Sequence, residues 1–237
     1  MTQYTKENSW FRIIENWLFP VSNHGNHSLL TTIPADLDDA LLKELIFWEQ
    51  GCPVCAMPSA VNQLCGDCLD QTSYLDRTQA LLIFNEAAKQ MVHGLKYHGE
   101  LFWSRVFAEL MIQRIDMTEI DALIAVPLHS NRLVERGFNQ SYEVAKLLSK
   151  QLKMPLLQQG ITRKVDTPHQ TLLDKKQRQR NLKNCFAIDN EALSSMKQVV
   201  LIDDVMTTGT TLEQLAKTLK QTYPHLKVQA WVVARAV

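Results

Sequence analysis

The stretch VVLIDDVMTTGTT, residues 199–211, decides which fold we expect. Four aliphatic residues precede Asp203 and Asp204, and threonines surround Gly209 shortly afterwards. A continuous aliphatic run is typical of a strand that is buried on both faces of a parallel sheet. We therefore predict a buried strand that ends at the two aspartates, followed by a turn into a helix.

The side chains of this stretch suit a ligand that carries both hydroxyls and a phosphate. The two carboxylates can accept hydrogen bonds from vicinal hydroxyls, or hold Mg²⁺ that bridges to phosphate. Backbone N–H groups at a helix start attract anions, and a glycine lets the backbone approach a ligand closely. A ribose 5-phosphate satisfies both halves, whereas the alternative is an acidic strand end before a threonine-capped helix with a structural role alone. The phosphate-binding residues would be Thr207, Thr208, Gly209, Thr210 and Thr211.

Strand-like and helix-like runs alternate through most of the chain. Strands are predicted at 81–84, 122–126, 154–157, 198–202 and 227–235, and helices at 85–99, 103–115, 138–152 and 211–223. This alternation indicates an α/β fold, with parallel strands and helices on both faces of the sheet. Ligands of such sheets bind beyond the carboxyl ends of the strands, where Asp203 and Asp204 are expected to lie.

The composition is that of an ordinary globular protein. The chain has 237 residues, of which 46% are hydrophobic and 21% charged, and its 25 basic residues balance its 25 acidic ones. A neutral chain needs a local basic patch to bind nucleic acid. The apolar runs are far shorter than a membrane span, and the first twenty residues do not resemble a signal peptide. We expect a cytoplasmic protein without membrane insertion.

Residues 1–48 are predicted to form a helical N-terminal extension. Apolar residues recur at helical spacing near its start, at Trp10, Ile13, Ile14, Trp17 and Leu18. The spacing fits a helix packed on the body of the protein, and it also fits a helix that docks on a partner or a membrane surface.

Residues 49–72 contain four cysteines in two C-x₂-C pairs, within CPVCAMPSAVNQLCGDC (52–68). Each pair can offer two thiolates to one ion, and the nine residues between the pairs allow a tetrahedral site. The favoured ligand set for a structural Zn²⁺ is Cys52, Cys55, Cys65 and Cys68, while iron or redox-active thiols are the alternatives. The isolated Cys185 is expected to be a small buried hydrophobe.

The combination of these motifs resembles a known family. VVLIDDVMTTGTT is similar to the binding signature for 5-phosphoribosyl 1-pyrophosphate (PRPP) of type I phosphoribosyltransferases, and the four-cysteine module ahead of it narrows the resemblance to the ComF family of competence-associated proteins. Three further stretches are similar to segments of that family, so that the resemblance covers about residues 50–237. They are GLKYHGE (94–100), VPLHSNRLVERGFNQS (126–141) and HQTLLDKKQRQRNLKNCF (169–186).

The resemblance implies a type I phosphoribosyltransferase-like domain at 73–237 and a role for each motif. Asp203 and Asp204 would hold the ribose hydroxyls of PRPP, and the threonines would hold its 5-phosphate. Pyrophosphate would lie against Pro127, Leu128 and His129, which follow Val126, and near Arg132, Arg136 and Lys96.

Structural alternatives exist for the basic residues of this set and for the start of the next helix. Arg132 and Arg136 fit a solvated helix face, and Lys96 fits a helix end, where a cation is stabilised by the dipole. Asn139 or Gln140 could instead satisfy backbone groups at a helix start.

A basic stretch at 163–183 carries seven basic and two acidic residues, a net charge of +5 in a neutral chain. A lid that closes over a polyphosphate, a contact for single-stranded DNA and a plain solvated loop all fit this composition.

Three functions are compatible with the sequence. The first is Mg²⁺-dependent transfer of a phosphoribosyl group from PRPP to an unknown acceptor. The second is a non-catalytic adaptor that binds single-stranded DNA and a competence helicase, since the family resemblance implies a role in DNA uptake during transformation. The third, nucleotide salvage, is disfavoured because salvage phosphoribosyltransferases do not usually carry a four-cysteine module.

Overall fold

A computed structural model describes residues 39–60, 63–165 and 185–237 of the chain. Residues 1–38 of the predicted helical extension (1–48) and residues 166–183 of the basic stretch (163–183) lie outside the described residues. Within them, the main feature is a four-stranded parallel sheet with helices on both faces, accompanied by a separate antiparallel pair of strands. The predicted α/β class is therefore confirmed.

The elements follow one another in this order. The helices are α1 (Asp39–Glu44), α2 (Gly66–Asp70), α3 (Glu86–Tyr97), α4 (Phe102–Arg114), α5 (Ser130–Arg136), α6 (Gln140–Leu152) and α7 (Thr210–Thr222), with a 3₁₀ turn at Glu191–Ser195. The strands are β1 (Arg77–Ile83), β2 (Ala122–Ala125), β3 (Ile161–Arg163), β4 (Phe186–Ile188), β5 (Gln198–Met206) and β6 (Lys227–Arg235).

The parallel sheet has the order β1-β6-β5-β2, so β5 lies between two neighbours. One face of the sheet is covered by α3, α4 and α6, which contribute Met91, Phe107 and Leu148 to its core. The other face is covered by α7, with Leu212 and Leu215 among its core residues. The chain passes from one face to the other at β5, and this places the loop after β5 at the crevice between two layers of helices.

The aliphatic run of β5 is explained by this position. Val200 and Ile202 pack into the first core, while Val199 and Leu201 pack into the second, and all four are fully buried. A strand covered on both faces has no solvent side on which polar residues would be favourable.

Most predicted elements agree with the structure to within a few residues. The prediction for β6 has the observed bounds, whereas β5 continues four residues beyond the predicted 202, because it pairs with β6 as far as Met206 and Arg235. The strand predicted at 154–157 is reduced to one bridge between Leu156 and Leu123. Its neighbour Pro155 has no N–H to donate to a sheet.

Some short elements were not predicted from the sequence. The strands β3 and β4 have three residues each, which is too short for an alternating pattern to be visible. Among the helices in the described parts of the chain, none is long and apolar enough to cross a membrane.

The double-sided burial of β5 predicts a large cost for truncating it. Leu201→Ala should lower the free energy of unfolding by about 2–5 kcal/mol, because it leaves a cavity beside α7. Leu101→Ala is the matched control, since 47% of that side chain is exposed, and should cost well under half as much. Urea denaturation of both variants measures the difference. Equal losses would contradict the assignment of β5 to the centre of the core.

Candidate ligand site and cysteine cluster

The loops that follow β2 and β5 leave the sheet side by side. Ala125, the last residue of β2, pairs with Ile202, and the backbone N–H of Val126 donates to the carbonyl of Ile202 at 3.0 Å. Asp203 and Asp204 come directly after Ile202. The segment 126–129, for which the sequence suggested a pyrophosphate-binding role, therefore starts beside the two carboxylates.

The two carboxylates are held by side chains from two helices. Ser141 Oγ donates to Asp203 Oδ1 at 3.0 Å, and Gln140 Nε2 donates to Asp204 Oδ2 at 3.2 Å, both from the start of α6. Lys96, near the end of α3, places its Nζ 2.8 Å from Asp204 Oδ1. The structure thus brings together three parts of the chain that are far apart in sequence.

The start of α6 also fixes the loop after β2. Asn139 caps the helix, because its Oδ1 accepts a hydrogen bond from the N–H of Ser141 at 3.0 Å. Its Nδ2 donates to the carbonyl of Val126 at 2.9 Å. Asn139 therefore satisfies backbone groups at a helix start, which was the structural alternative proposed from the sequence. The next two residues, Gln140 and Ser141, instead orient the carboxylates of the two aspartates.

Burial and the neighbouring Asp204 carboxylate raise the pKa of Asp203 to about 7. Lys96 and the hydrogen bond from Ser141 act in the opposite direction and limit the increase. Two adjacent carboxylates in a partly dehydrated site repel each other, so a cation or a set of hydroxyl donors is favoured there.

The threonine loop, residues 207–211, joins β5 to α7. Gly209 has φ of 73° and occupies the position before the first helical residue, Thr210. A side chain at Gly209 would be strained by this φ, and the terminal methyl group of Met206 would have to shift to make room for it. Within the described residues no side chain caps α7, so the first N–H groups of the helix remain available to an anion. Hydroxyls lie close by, with Thr208 Oγ1 2.8 Å from Thr210 Oγ1.

The other residues expected to bind pyrophosphate lie along the segment after β2. Pro127 is buried, and Leu128 and His129 are half-buried. His129 caps α5, its Nδ1 accepting from the N–H of Asn131 at 3.3 Å.

Arg132 and Arg136 lie on α5, as the helix-face alternative required. The Arg136 guanidinium lies 5.3 Å from the ring centroid of Tyr97, the residue after Lys96. Among the described residues, the partner of Arg136 is thus the ring of Tyr97 and not the carboxylate of Asp203 or Asp204.

Sequence reasoning missed the contacts made by Gln140, Ser141 and Tyr97. Gln140 is buried, and its Oε1 has no hydrogen-bond partner among the described residues, although its Nε2 binds Asp204. The position of the GFNQS segment after a predicted strand was the available signal. What the sequence did not reveal is that α6 starts at the same edge of the sheet as Asp203.

The four cysteines of the two C-x₂-C pairs form one cluster. Their Sγ atoms all lie within 4.8 Å of one another, and those of Cys55 and Cys65 are 3.5 Å apart. A disulfide would require about 2.05 Å, whereas four sulfurs about 2.3 Å from a tetrahedral zinc ion lie about 3.8 Å apart. The cluster is therefore compatible with a zinc site, and the fifth cysteine, Cys185, is buried elsewhere in the core.

The thiols of the cluster differ in acidity. Burial raises the pKa of Cys55 to about 11, and it raises the pKa of Cys68 well above the ordinary value. At Cys52, backbone hydrogen bonds outweigh burial and lower the pKa to about 7. Because metals bind thiolates, loading this cluster must release protons.

Comparison with known proteins agrees with this geometry. The family described as "Phosphoribosyl transferase domain" matches residues 136–236, which include Asp203, Asp204 and the threonine loop. This match, together with the parallel sheet and the crevice at the end of β5, shows that the protein has a phosphoribosyltransferase-type domain.

Individual relatives define the family more narrowly. The chain is 31% identical over 194 residues to DNA utilization protein YhgH of Salmonella typhimurium. The aligned region covers 78% of this chain and 84% of that protein. It is 31% identical over 185 residues to competence protein F of Haemophilus influenzae, and this match covers 73% of this chain and 79% of that protein. Competence protein ComFC of Bacillus subtilis is 26% identical over 195 residues, with coverage of 78% for both chains. The chain belongs to the ComF family, as its motifs suggested.

The raised pKa of Asp203 predicts a specific dependence of stability on pH. Between about pH 4, where an unfolded aspartate titrates, and about pH 7, the folded protein retains a proton that the unfolded chain has released. Raising the pH through this window should therefore lower stability. Asp203→Asn should flatten this part of the curve, whereas Asp189→Asn, at an exposed position, should not. Urea midpoints measured across the window test this, and parallel curves for the wild type and Asp203→Asn would count against it.

Proposed function

We propose that this ComF-family chain acts in natural competence and DNA uptake and that it binds PRPP or a related phosphoribosyl ligand together with Mg²⁺. The observation that carries the proposal is the juxtaposition of two carboxylates and an uncapped helix start at the end of one buried strand. These groups match the hydroxyls and the 5-phosphate of a ribose phosphate. In this proposal residues 73–237 form the ligand-binding domain and residues 49–72 the metal-binding module.

The ribose half of the ligand would lie against Asp203 and Asp204. Each carboxylate already accepts a hydrogen bond from α6, through Ser141 or Gln140, so that its orientation is fixed before a ligand arrives. Vicinal hydroxyls would donate to the remaining lone pairs. Lys96 offsets the charge of Asp204 and thereby reduces its repulsion of an anionic ligand.

The phosphate half would lie on the threonine loop. A phosphate at the start of α7 would receive backbone N–H donors and the favourable field of a 13-residue helix. Thr207 and Thr208 are exposed, and Thr211 is half-buried, so their hydroxyls are available to a ligand.

The pyrophosphate group of PRPP would lie along the segment after β2, near Pro127, Leu128 and His129. Arg132, Arg136 and Lys96 would provide positive charge on that side. If transfer takes place, these cations would stabilise charge on the departing pyrophosphate, which is electrostatic catalysis. In this proposal Asp203, Asp204 and Arg136 are the residues nearest to the reacting atoms.

The residues around the carboxylates also fit Mg²⁺, which prefers hard oxygen ligands. Asp203 and Asp204 offer carboxylate oxygens, and Gln140 offers a buried amide oxygen that lacks a partner among the described residues. When bound, Mg²⁺ would neutralise phosphate charge and polarise the leaving group.

The biological part of the proposal is supported by the names of the relatives, which refer to competence and to DNA utilization. Because those names state no transferase activity, a non-catalytic protein that binds single-stranded DNA or a competence helicase is the second candidate. Release of pyrophosphate from PRPP would favour the enzyme. DNA binding that persists after loss of the ligand site would favour the second candidate.

The cysteine cluster is proposed to hold one structural Zn²⁺. Cys55→Ser with Cys65→Ser should abolish stoichiometric zinc, because two of the four thiolate ligands are lost. Cys185→Ser is the matched control and should retain about one zinc per chain, since that cysteine lies outside the cluster. Metal analysis of the purified proteins provides the measurement. Zinc that persists in the double variant would disprove the assignment.

The ligand site is tested by calorimetry of PRPP with Mg²⁺. The wild type should bind, and Asp203→Asn with Asp204→Asn should bind about 100-fold more weakly, because two charged hydrogen-bond acceptors are lost. Asp189→Asn with Glu191→Gln changes the charge equally at exposed positions and should leave the affinity unchanged. Failure of folded, zinc-loaded wild type to bind would rule out the PRPP proposal.

A further inference from the structure

The cysteine cluster and the threonine loop meet at one buried side chain, that of Arg235. Arg235 is the last residue of β6, pairs with Met206 of β5 and is only 4% exposed. Its Nε donates to the carbonyl of Cys55 at 2.8 Å. One terminal nitrogen shares its two N–H donors among three carbonyls, those of Met206 at 2.9 Å, Ala236 at 2.6 Å and Thr207. A single guanidinium therefore connects the backbone of a metal-ligand candidate to the first residue of the threonine loop.

Arginine is suited to this bridge by its shape. Its guanidinium is planar and directs several N–H donors along fixed, divergent directions, whereas a lysine offers all its donors from one nitrogen. If the side chain were shortened, the carbonyls of Cys55 and Thr207 would lose its donors, whereas that of Met206 would keep the N–H of Ala236 at 3.0 Å. A carbonyl left unsatisfied in a buried site is unfavourable, so the loop and the cysteine segment would have to rearrange.

A second connection joins the start of α7 to the residues that follow the cysteine segment. Glu213, in the first turn of α7, accepts hydrogen bonds from the backbone N–H of Tyr74 at 2.9 Å and from the hydroxyl of Ser73. Tyr74 and Ser73 directly follow the proposed metal-binding module. The threonine loop is thus fixed by Arg235 at its start and by Glu213 just beyond its end. The Arg235 contact reaches the cysteine segment, and the Glu213 contacts reach the residues directly after it.

The cysteine segment is itself attached to the sheet. The N–H of Thr78 donates to the carbonyl of Pro53 at 2.8 Å, and Thr78 Oγ1 donates to that of Val54 at 2.6 Å. The chain from Cys52 to Cys55 therefore lies between β1 and Arg235. Binding of a metal by these cysteines would restrict the carbonyl of Cys55, which is one of the groups that hold Arg235.

We propose that Arg235 is a positioning residue that couples metal binding at the four cysteines to phosphate binding at the threonine loop. The proposal rests on the proposed function of both sites. A metal at the cysteines holds the Cys55 carbonyl, this carbonyl holds the guanidinium, and the guanidinium holds Met206 and Thr207 in the conformation that receives a phosphate. By linkage, the phosphate ligand must then strengthen metal binding by the same factor.

Hydrogen exchange tests the positioning role without any phosphoribosyl ligand. In zinc-loaded full-length Arg235→Gln, amides of residues 205–211 should exchange about tenfold faster than in the wild type, while those of α6 remain unchanged. Arg105→Gln is the control, because its partly buried guanidinium pairs with Glu109 within α4, away from the loop. Unchanged exchange at 205–211 in Arg235→Gln would overturn the proposal.

A competition experiment tests the coupling, which a purely structural arginine would not produce. Zinc affinity is measured against a chelator, with and without PRPP and Mg²⁺. PRPP should raise the zinc affinity of the wild type about tenfold and that of Arg105→Gln equally, but should have little effect on Arg235→Gln. Equal zinc affinity with and without PRPP, in a wild type that binds PRPP, would contradict the coupling.

The two experiments separate this proposal from the proposed function. If the wild type does not bind PRPP, the proposed function fails, and the exchange experiment alone decides whether Arg235 orders the loop. If Arg235→Gln does not fold, Arg235→Lys takes its place, because it keeps the charge and loses the divergent donors. Arg235→Lys should still show faster exchange at 205–211, and wild-type exchange in that variant would overturn the proposal.

Discussion

The burial of β5 between β2 and β6, with a helical layer on each face, is the constraint on which the rest of the molecule depends. It requires an aliphatic strand from Val199 to Ile202, and it brings the ends of neighbouring parallel strands to one edge of the sheet. Polar residues become possible again only where the strand emerges from the core. That point is occupied by Asp203, Asp204 and the threonine loop, so the position of the proposed ligand-binding groups follows directly from the packing of the core.

Placing two adjacent carboxylates at the edge of a core is electrostatically unfavourable unless other groups compensate. Ser141 and Gln140 provide hydrogen bonds, and Lys96 provides a charge, but Asp203 still has a raised pKa. The site is therefore held in an arrangement whose repulsion a ligand rich in hydroxyls, or a cation, would relieve. Preorganisation of this kind is expected where function rather than stability determines the residues.

Much of this arrangement could be predicted from the sequence, because it depends on local patterns. The aliphatic runs of β2, β5 and β6 and the periodicity of α3, α6 and α7 gave the fold, and the spacing of the four cysteines gave the cluster. The contacts of Ser141 with Asp203 and of Arg235 with Cys55 could not be predicted, because they join residues 62 and 180 positions apart. Only the sheet order brings such residues together, and short strands such as β3 carry too few residues to show a pattern.

The central claim is that the end of β5 is a phosphoribosyl site, and a crystal structure of the protein with PRPP and Mg²⁺ tests it most directly. The account predicts ribose hydroxyls within hydrogen-bond distance of Asp203 and Asp204, and the 5-phosphate on the N–H groups at the start of α7. Ligand density at any other place on the protein, with these groups left in contact with solvent, would contradict it.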